Sequence, residues 1–402
     1  MSKPRSALLP SALTAGLSVI VAISLAACGG SSTPSASNVS SSGTAPVSNG
    51  AAQVKVQIKN INGGDSCRLD YSSAPAGPVT FETSNTNAIM VSEVELLDGK
   101  RILGERENVI PGLDPSSFTV NLTGGTYQLY CPGANEENTT FTVIGDAASA
   151  GSSLADELKT GTDGYAKYVD NQVDQLVTSV GLLKKLIDQG TLEYAQDMYA
   201  RSRPFYERIE PVAESFPDLD PAIDLRIADV KPGTPWTGFH PIEKDLFETK
   251  VITENTKKLA AGLVQDVAKL KTLTTGLKYK AEELANGASG LLEEVQSSKI
   301  TGEEEAYSHI DMVDFVANVE GSQQSFEYLR PALTKIDADL TKTISAKFDE
   351  VNKTLDGYKG PGFGGYKLYD AAFKAAEGKK LTQLIQSLQA PLSKIAEKVA
   401  TA

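Results

Sequence analysis

The chain has 402 residues, with 51 Asp and Glu against 38 Lys and Arg, for a net charge of −13. That balance argues against nucleic acid and anionic lipid surfaces, which attract Lys and Arg, and it suits a protein that handles cations.

Residues 1–27 carry Lys3 and Arg5, then the apolar run "LTAGLSVIVAISLAA", and end just before Cys28 in "SLAACGG". This is the layout of an export signal. It resembles a bacterial lipoprotein signal, which implies that Cys28 is acylated as the first residue of the mature chain and anchors it outside the cytoplasm. A short transmembrane anchor is the alternative, but the run falls short of the ~20 residues that span a bilayer. No later segment is apolar enough to cross a membrane. Residues 28–51 are rich in Ser, Gly and Pro and read as a flexible tether.

Between residues 52 and 146 apolar residues alternate in "VKVQI", "VTFET", "FTVNL", "YQLYC" and "FTVI", with Gly63, Gly64, Gly77, Pro78, Gly124 and Gly125 as turn residues. Period two with β-branched residues predicts a small antiparallel sandwich, an all-β domain. Cys67 and Cys131 are its only thiols. In an exported protein they read as a disulfide, or else as metal ligands. Cys131 ends a strand at the position where cupredoxins place a copper thiolate, yet a blue-copper centre needs two histidines and this domain has none. A metal here must use Cys67, Cys131, Met90 and Glu93 or Glu95, a set that could suit copper.

From residue 152 to 402 the period becomes helical, as in "LVTSVGLLKKLIDQG", "LAAGLVQDVAKLKTLTTGL" and "FVANVEGSQQSFEYLRPAL". Apolar residues at i, i+3, i+4 and i+7 predict an all-α bundle. In "GFHPIEKDLF", Pro241 fits only a first helical turn, so a helix begins near Gly238 to His240 and places His240 and Glu243 on one face. Alone this motif is weak. Two acid-rich segments raise its interest: 206–224, "YERIEPVAESFPDLDPAID", and 293–314, which holds the second histidine, His309, followed by Asp311 and Asp314. Facing helices that lend carboxylates and imidazoles make a buried cation site suited to iron, manganese or zinc.

"YERIEPVAE", "GFHPIEKDLF", "GLLEEVQSSKITGEE", "YSHIDMVDFVANVEGSQ" and "ERENVIPG" resemble the EfeO family of periplasmic iron-uptake proteins, which join a cupredoxin-like domain to a helical domain of the imelysin family. The resemblance spans about residues 52 to 400. It implies a protein that binds ferrous or ferric iron and serves a membrane iron permease together with a haem-peroxidase-like partner, with zinc able to stand in for iron. The family's Gly-x-His-x-x-Glu motif falls on Gly238, His240 and Glu243. Asp266 sits where the next family helix offers an acid, and Glu207, His309 and Asp311 are further candidate ligands. A cysteine, glutamate, cysteine set falls on Cys67, Glu93 or Glu95, and Cys131, although Leu129 stands where related sequences can carry methionine, which bears on copper. Imelysins have also been called peptidases. Zinc peptidases of the common kind need His-Glu-x-x-His or its inverse, and Lys244 stands where the inverse motif wants its second histidine. A structural or adhesive lipoprotein with merely solvated acidic segments is the other alternative.

Overall fold

The computed structural model describes residues 43–145, other than 92, 100, 107, 108, 110 and 112–114, and residues 152–402. The signal segment, Cys28 and most of the tether lie outside the described residues.

The first domain has strands β1 (Val47–Ser48), β2 (Ala51–Ile61), β3 (Gly64–Leu69), β4 (Ser73–Pro75), β5 (Gly77–Asn85), β6 (Val94–Asp98), β7 (Arg101–Arg106), β8 (Ser116–Leu122), β9 (Gly125–Tyr130) and β10 (Asn138–Ile144). They form two sheets, one of β1, β2, β3, β5 and β8, the other of β4, β10, β9, β6 and β7. Alternation builds the core between them: Val54, Val56 and Ile58 of β2 point inward and are fully buried, while Lys55 and Gln57 are exposed. Phe81 packs on Phe118 and Phe141, each at 5.2 Å between ring centroids. Asn49-Gly50 and Asn62-Gly63 have φ of 52° and 84°, and 54° and 87°, the paired positive values of tight hairpin turns. The first of these hairpins sets β1 within the segment read as tether. The sandwich also differs from the expected antiparallel one, because β2 pairs with β5 and β4 with β10 in parallel. Such pairs join strands distant in sequence, which local alternation does not reveal.

The second domain is helical: α1 (Ser152–Gln189), α2 (Leu192–Glu207), α3 (Glu210–Ala213), α4 (Asp220–Asp224), α5 (Phe239–Glu243), α6 (Glu254–Thr274), α7 (Ala281–Ser297), α8 (Asp311–Ile336), α9 (Ala338–Asp356), α10 (Ala371–Leu392) and α11 (Ile395–Thr401). The long α1 packs along α2, α6 and α8, and buries Val169, Val173, Leu176, Val180, Leu183 and Ile187 at helical spacing. Helices α7 and α11 rest on the sandwich. That contact is polar as well as apolar: Arg106 pairs with Glu293, the Asn121 N–H donates to Glu282 at 3.0 Å, and Asn286 Nδ2 donates to the Thr119 carbonyl at 2.7 Å. No helix among the described residues is long and apolar enough to cross a membrane.

Candidate metal centre

The entry to α5 fixes the position of His240. Gly238 has φ +89°, and a Cβ there would lie 2.0 Å from the Ile223 carbonyl oxygen, so only glycine lets the chain pass this close to α4. Thr237 Oγ1 donates to the Ala222 carbonyl at 3.1 Å and Trp236 Nε1 to that of Leu225 at 2.8 Å, which pins the loop before α5 to the end of α4. His240 thereby meets Asp224. Pro241 occupies the first turn of α5, as expected, and the helix then widens into one π-helical turn, Lys244–Thr249.

The imidazole is 1 % exposed and is flanked by carboxylates on both nitrogens. Nε2 lies 3.3 Å from Asp224 Oδ1 and 3.6 Å from Glu304 Oε1, while Nδ1 lies 3.5 Å from Glu243 Oε2. Neither nitrogen, nor Glu243 Oε2, makes a hydrogen bond with any described residue. Ligand atoms around a tetrahedral ion at ~2.1 Å stand about 3.4 Å apart, which is close to the spacing of Asp224 and Glu304 from Nε2, and the ligand atoms of all three groups lie within 4.8 Å of one another. Glu243 is brought beside His240, but through the other ring nitrogen. Its Oε1 accepts the N–H groups of Tyr307 and Ser308 at 2.8 and 2.7 Å. That places Glu243 where a carboxylate orients a metal-binding imidazole.

Around this triad is a buried ionic network. Arg203, on α2 and fully buried, reaches Glu207, Asp224, Glu304 and Glu305. Lys299, after α7 and also fully buried, binds Glu207 at 2.8 Å and Glu210 at 2.7 Å. Arg226 reaches Glu294 at 3.0 Å and Glu304 at 3.4 Å. Carboxylates outnumber these cations, and the surplus shows in their acidities. Burial opposes charge on every one, but Arg203 and then His240 hold Asp224 down at about 2, and Lys299 with His240 holds Glu304 well below the usual range. Glu305 and Asp314 are pushed well above it, by burial and then by the acids Glu243 and Glu207 respectively, and burial lifts Asp311 to about 7. Burial disfavours charge on His240 too, yet Asp224, Glu243 and Glu304 outweigh it and raise its pKa well above the ordinary value. An entering cation therefore displaces protons.

Of the residues singled out in the sequence, Glu207 and Asp311 are fully buried in this network; Glu207 pairs with Arg203 and Lys299, and Asp311 accepts the Glu305 N–H at 3.3 Å. His309 is not part of it. It is exposed, in a left-handed turn with φ 58°, because the chain doubles back there to start α8. Asp266 lies half-buried on α6 and belongs to none of the carboxylate groups. In the sandwich, Cys67 and Cys131 are joined as a disulfide inside the core, so neither is a free thiolate for copper. Glu95 faces Tyr130 across β6 and β9, hence the face opposite Leu129 and Cys131, and Met90 is 67 % exposed. Glu93, half-buried just before β6, has Lys231 and Asp229 as its charged neighbours, and Glu95 is not brought to the cysteines. Sequence reasoning missed Arg203, and it named the segments of Asp224, Lys299, Glu304 and Glu305 without singling out these residues. The Arg203 and Glu207 spacing of i, i+4 was the available signal.

Fold and site together define a class of protein in which a β-sandwich is joined to a helical domain that buries a cluster of carboxylates around one imidazole. The sequence profile described as Imelysin matches residues 161–395. An Efem/EfeO family lipoprotein of Staphylococcus haemolyticus (strain JCSC1435) is 43 % identical over 243 residues, covering 60 % of this chain and 83 % of that protein. One from Staphylococcus aureus (strain NCTC 8325 / PS 47) is 42 % identical over 243 residues, covering 60 % and 85 %. The chain belongs to the imelysin family and to the Efem/EfeO family of lipoproteins. A structure of reduced rusticyanin is similar to 24 % of this chain, covering 82 % of its own, at 15 % identity and a TM-score of 0.20.

Proposed function

We propose that this protein is a lipid-anchored, extracytoplasmic iron-binding component of an iron-uptake system, which takes up ferrous or ferric iron at His240, Asp224 and Glu304 and passes it to a membrane permease, in company with a haem-peroxidase-like partner. The observation that carries the reading is the buried imidazole set at 3.3 to 3.6 Å among an excess of carboxylates, with no hydrogen bond to any of them. Buried polar groups are ordinarily hydrogen-bonded, and a ring with acids on both sides and no hydrogen bond is suited to a cation. Nitrogen and oxygen donors fit iron, with zinc as a surrogate. A peptidase reading finds less support, since hydrolysis needs an open position for water and substrate, while Asp224, His240 and Glu304 are each buried.

The test is an anaerobic titration of the metal-free protein with Fe(II), Fe(III), Zn(II) and Cu(II). One iron or zinc ion per chain is expected, with no tight copper site in the oxidised protein. Absence of stoichiometric iron and zinc binding sinks the proposal. The anchor is tested separately: Cys28→Ala should leave the chain unprocessed or released from membranes. Unaltered membrane fractionation and mature mass would remove the lipid anchor from the reading.

A further inference from the structure

Residues 303–310, between the short turn Lys299–Thr301 and the start of α8, contain neither helix nor strand. The segment is bounded by two left-handed residues, Gly302 with φ 77° and His309 with φ 58°, and the second holds a conformation that costs a residue with a side chain. Its side chains divide by face. Glu304, Glu305 and Ser308 are buried toward the centre, whereas Glu303, Ala306 and Tyr307 are half-buried and His309 is exposed. One thickness of chain therefore lies here between the His240 centre and solvent.

Inward, the segment is fastened to groups of the centre itself. Glu304 Oε1 lies 3.6 Å from His240 Nε2 and 2.8 Å from Arg203, Glu305 accepts from the Tyr199 hydroxyl at 3.1 Å, and the N–H groups of Tyr307 and Ser308 donate to Glu243 Oε1 at 2.8 and 2.7 Å. Outward, Tyr307 is the fastening. Its ring sits 6.3 Å from that of Trp236, on the loop before α5, and Lys244 Nζ, in the π-helical turn, lies 5.3 Å from its centre. His240 and Glu304 are only 1 % and 2 % exposed, so an ion reaches Nε2 only after a covering segment moves. A segment held by side-chain contacts, outside any helix, opens at lower cost than α2, α5 or α8.

We propose that residues 303–308 form a strap that swings on Gly302 and His309 to admit the cation, that the bound cation closes it through Glu304, and that Tyr307 is its clasp against Trp236 and Lys244. The inference rests on the reading of the His240 centre as a cation site. An ion between Nε2, Asp224 and Glu304 ties a residue of the strap to residues of the body, so binding shifts the population toward the closed state. The Tyr307 ring contacts Trp236 and Lys244 rather than a ligand. Its loss therefore raises the open population of metal-free and metal-bound protein alike, and entry and exit accelerate together while the equilibrium affinity is kept.

The test follows Zn(II), a redox-inert probe, on the full chain, with association and release timed by a chromogenic chelator. Tyr307→Ala should raise both rates ~5- to 10-fold with Kd within ~2-fold of wild type, while Tyr307→Phe, which keeps the ring, should match wild type. In wild type, hydrogen exchange read by mass spectrometry should be faster across 303–309 than in α7 and α8, and Zn(II) should slow it at least ~10-fold. Unchanged rates in folded Tyr307→Ala, or faster release alone with weaker affinity, overturn the proposal and leave the function reading intact. Exchange across 303–309 that bound Zn(II) does not slow overturns it as well, and that result stands even where the variant fails to fold. Absence of Zn(II) binding in wild type removes the His240 reading, and this proposal with it.

Discussion

His240 is held between acids on opposite nitrogens, and the two sides make different predictions. Asp224 and Glu304 face Nε2, so Asp224→Asn and His240→Ala should each weaken iron or zinc binding at least ~10-fold while helical content is retained. Glu243 faces Nδ1 and is anchored by two backbone N–H groups, so Glu243→Gln should cost on the order of 10-fold by loosening the ring. Isothermal titration of the three variants checks the order. Equal wild-type affinity in His240→Ala would return the segment to an ordinary helix start. Arg203 has a different role, since it is the fully buried partner of several carboxylates. Removing one side of a buried ion pair costs about 3–5 kcal/mol, because the charges left behind stay desolvated. Arg203→Met should accordingly lower Tm by several degrees in the metal-free protein, and a bound cation should restore part of the loss. An unchanged Tm would show that the network relaxes without it.

At the scale of elements, α5 is a five-residue helix whose placement depends on one glycine. Gly238→Ala puts a methyl against the Ile223 carbonyl at a backbone angle that L-residues avoid, so α5 must move away from α4. The expected cost is about 1–3 kcal/mol, together with loss of metal affinity, since His240 and Asp224 separate. Wild-type melting and wild-type zinc binding in this variant would refute the account. In the sandwich, the disulfide joins β3 to the end of β9 across 64 residues of sequence, and Cys131→Ser should destabilise the protein by about 2–4 kcal/mol in denaturant unfolding. Much of this was legible in the sequence. Alternation gave the strands, the 3.6-residue period gave the helices, and Pro241 marked the start of α5. What could not be read was pairing at a distance: which acids of 206–224 and 293–314 turn inward, that β2 runs parallel to β5, and that His309 points to solvent. The first and last of these depend on how α2, α4, α5 and α8 converge and the second on how the sandwich closes, and local periodicity records burial of a face without naming its neighbour.

Over the whole molecule, the buried acids link stability to pH in a direction opposite to that of ordinary surface ion pairs. Burial raises Glu95 to about 8, Asp311 to about 7 and Asp220 to about 7, from ordinary values near 4. A raised acid favours the folded state while it is protonated, so its contribution is full below the unfolded value and is lost as pH rises through the folded one. His240, whose pKa is also raised, contributes in the same direction. Asp224 and Glu304 are lowered, and their contribution is present above about 4 and lost at more acid pH. The metal-free protein should therefore be most stable at mildly acid pH, near 5, and lose stability between pH 5 and 8. A bound cation changes that slope, because it favours ionised carboxylates and a neutral imidazole, and binding to the folded state alone stabilises it. Thermal melts from pH 4 to 9, with and without Zn(II), should show the metal-free Tm falling toward pH 8 and the increment from Zn(II) growing over the same range. A metal-free Tm that rises from pH 5 to 8 would mean that the buried acids are ionised and paired in the folded protein, and the surplus of negative charge on which the cation centre depends would be absent.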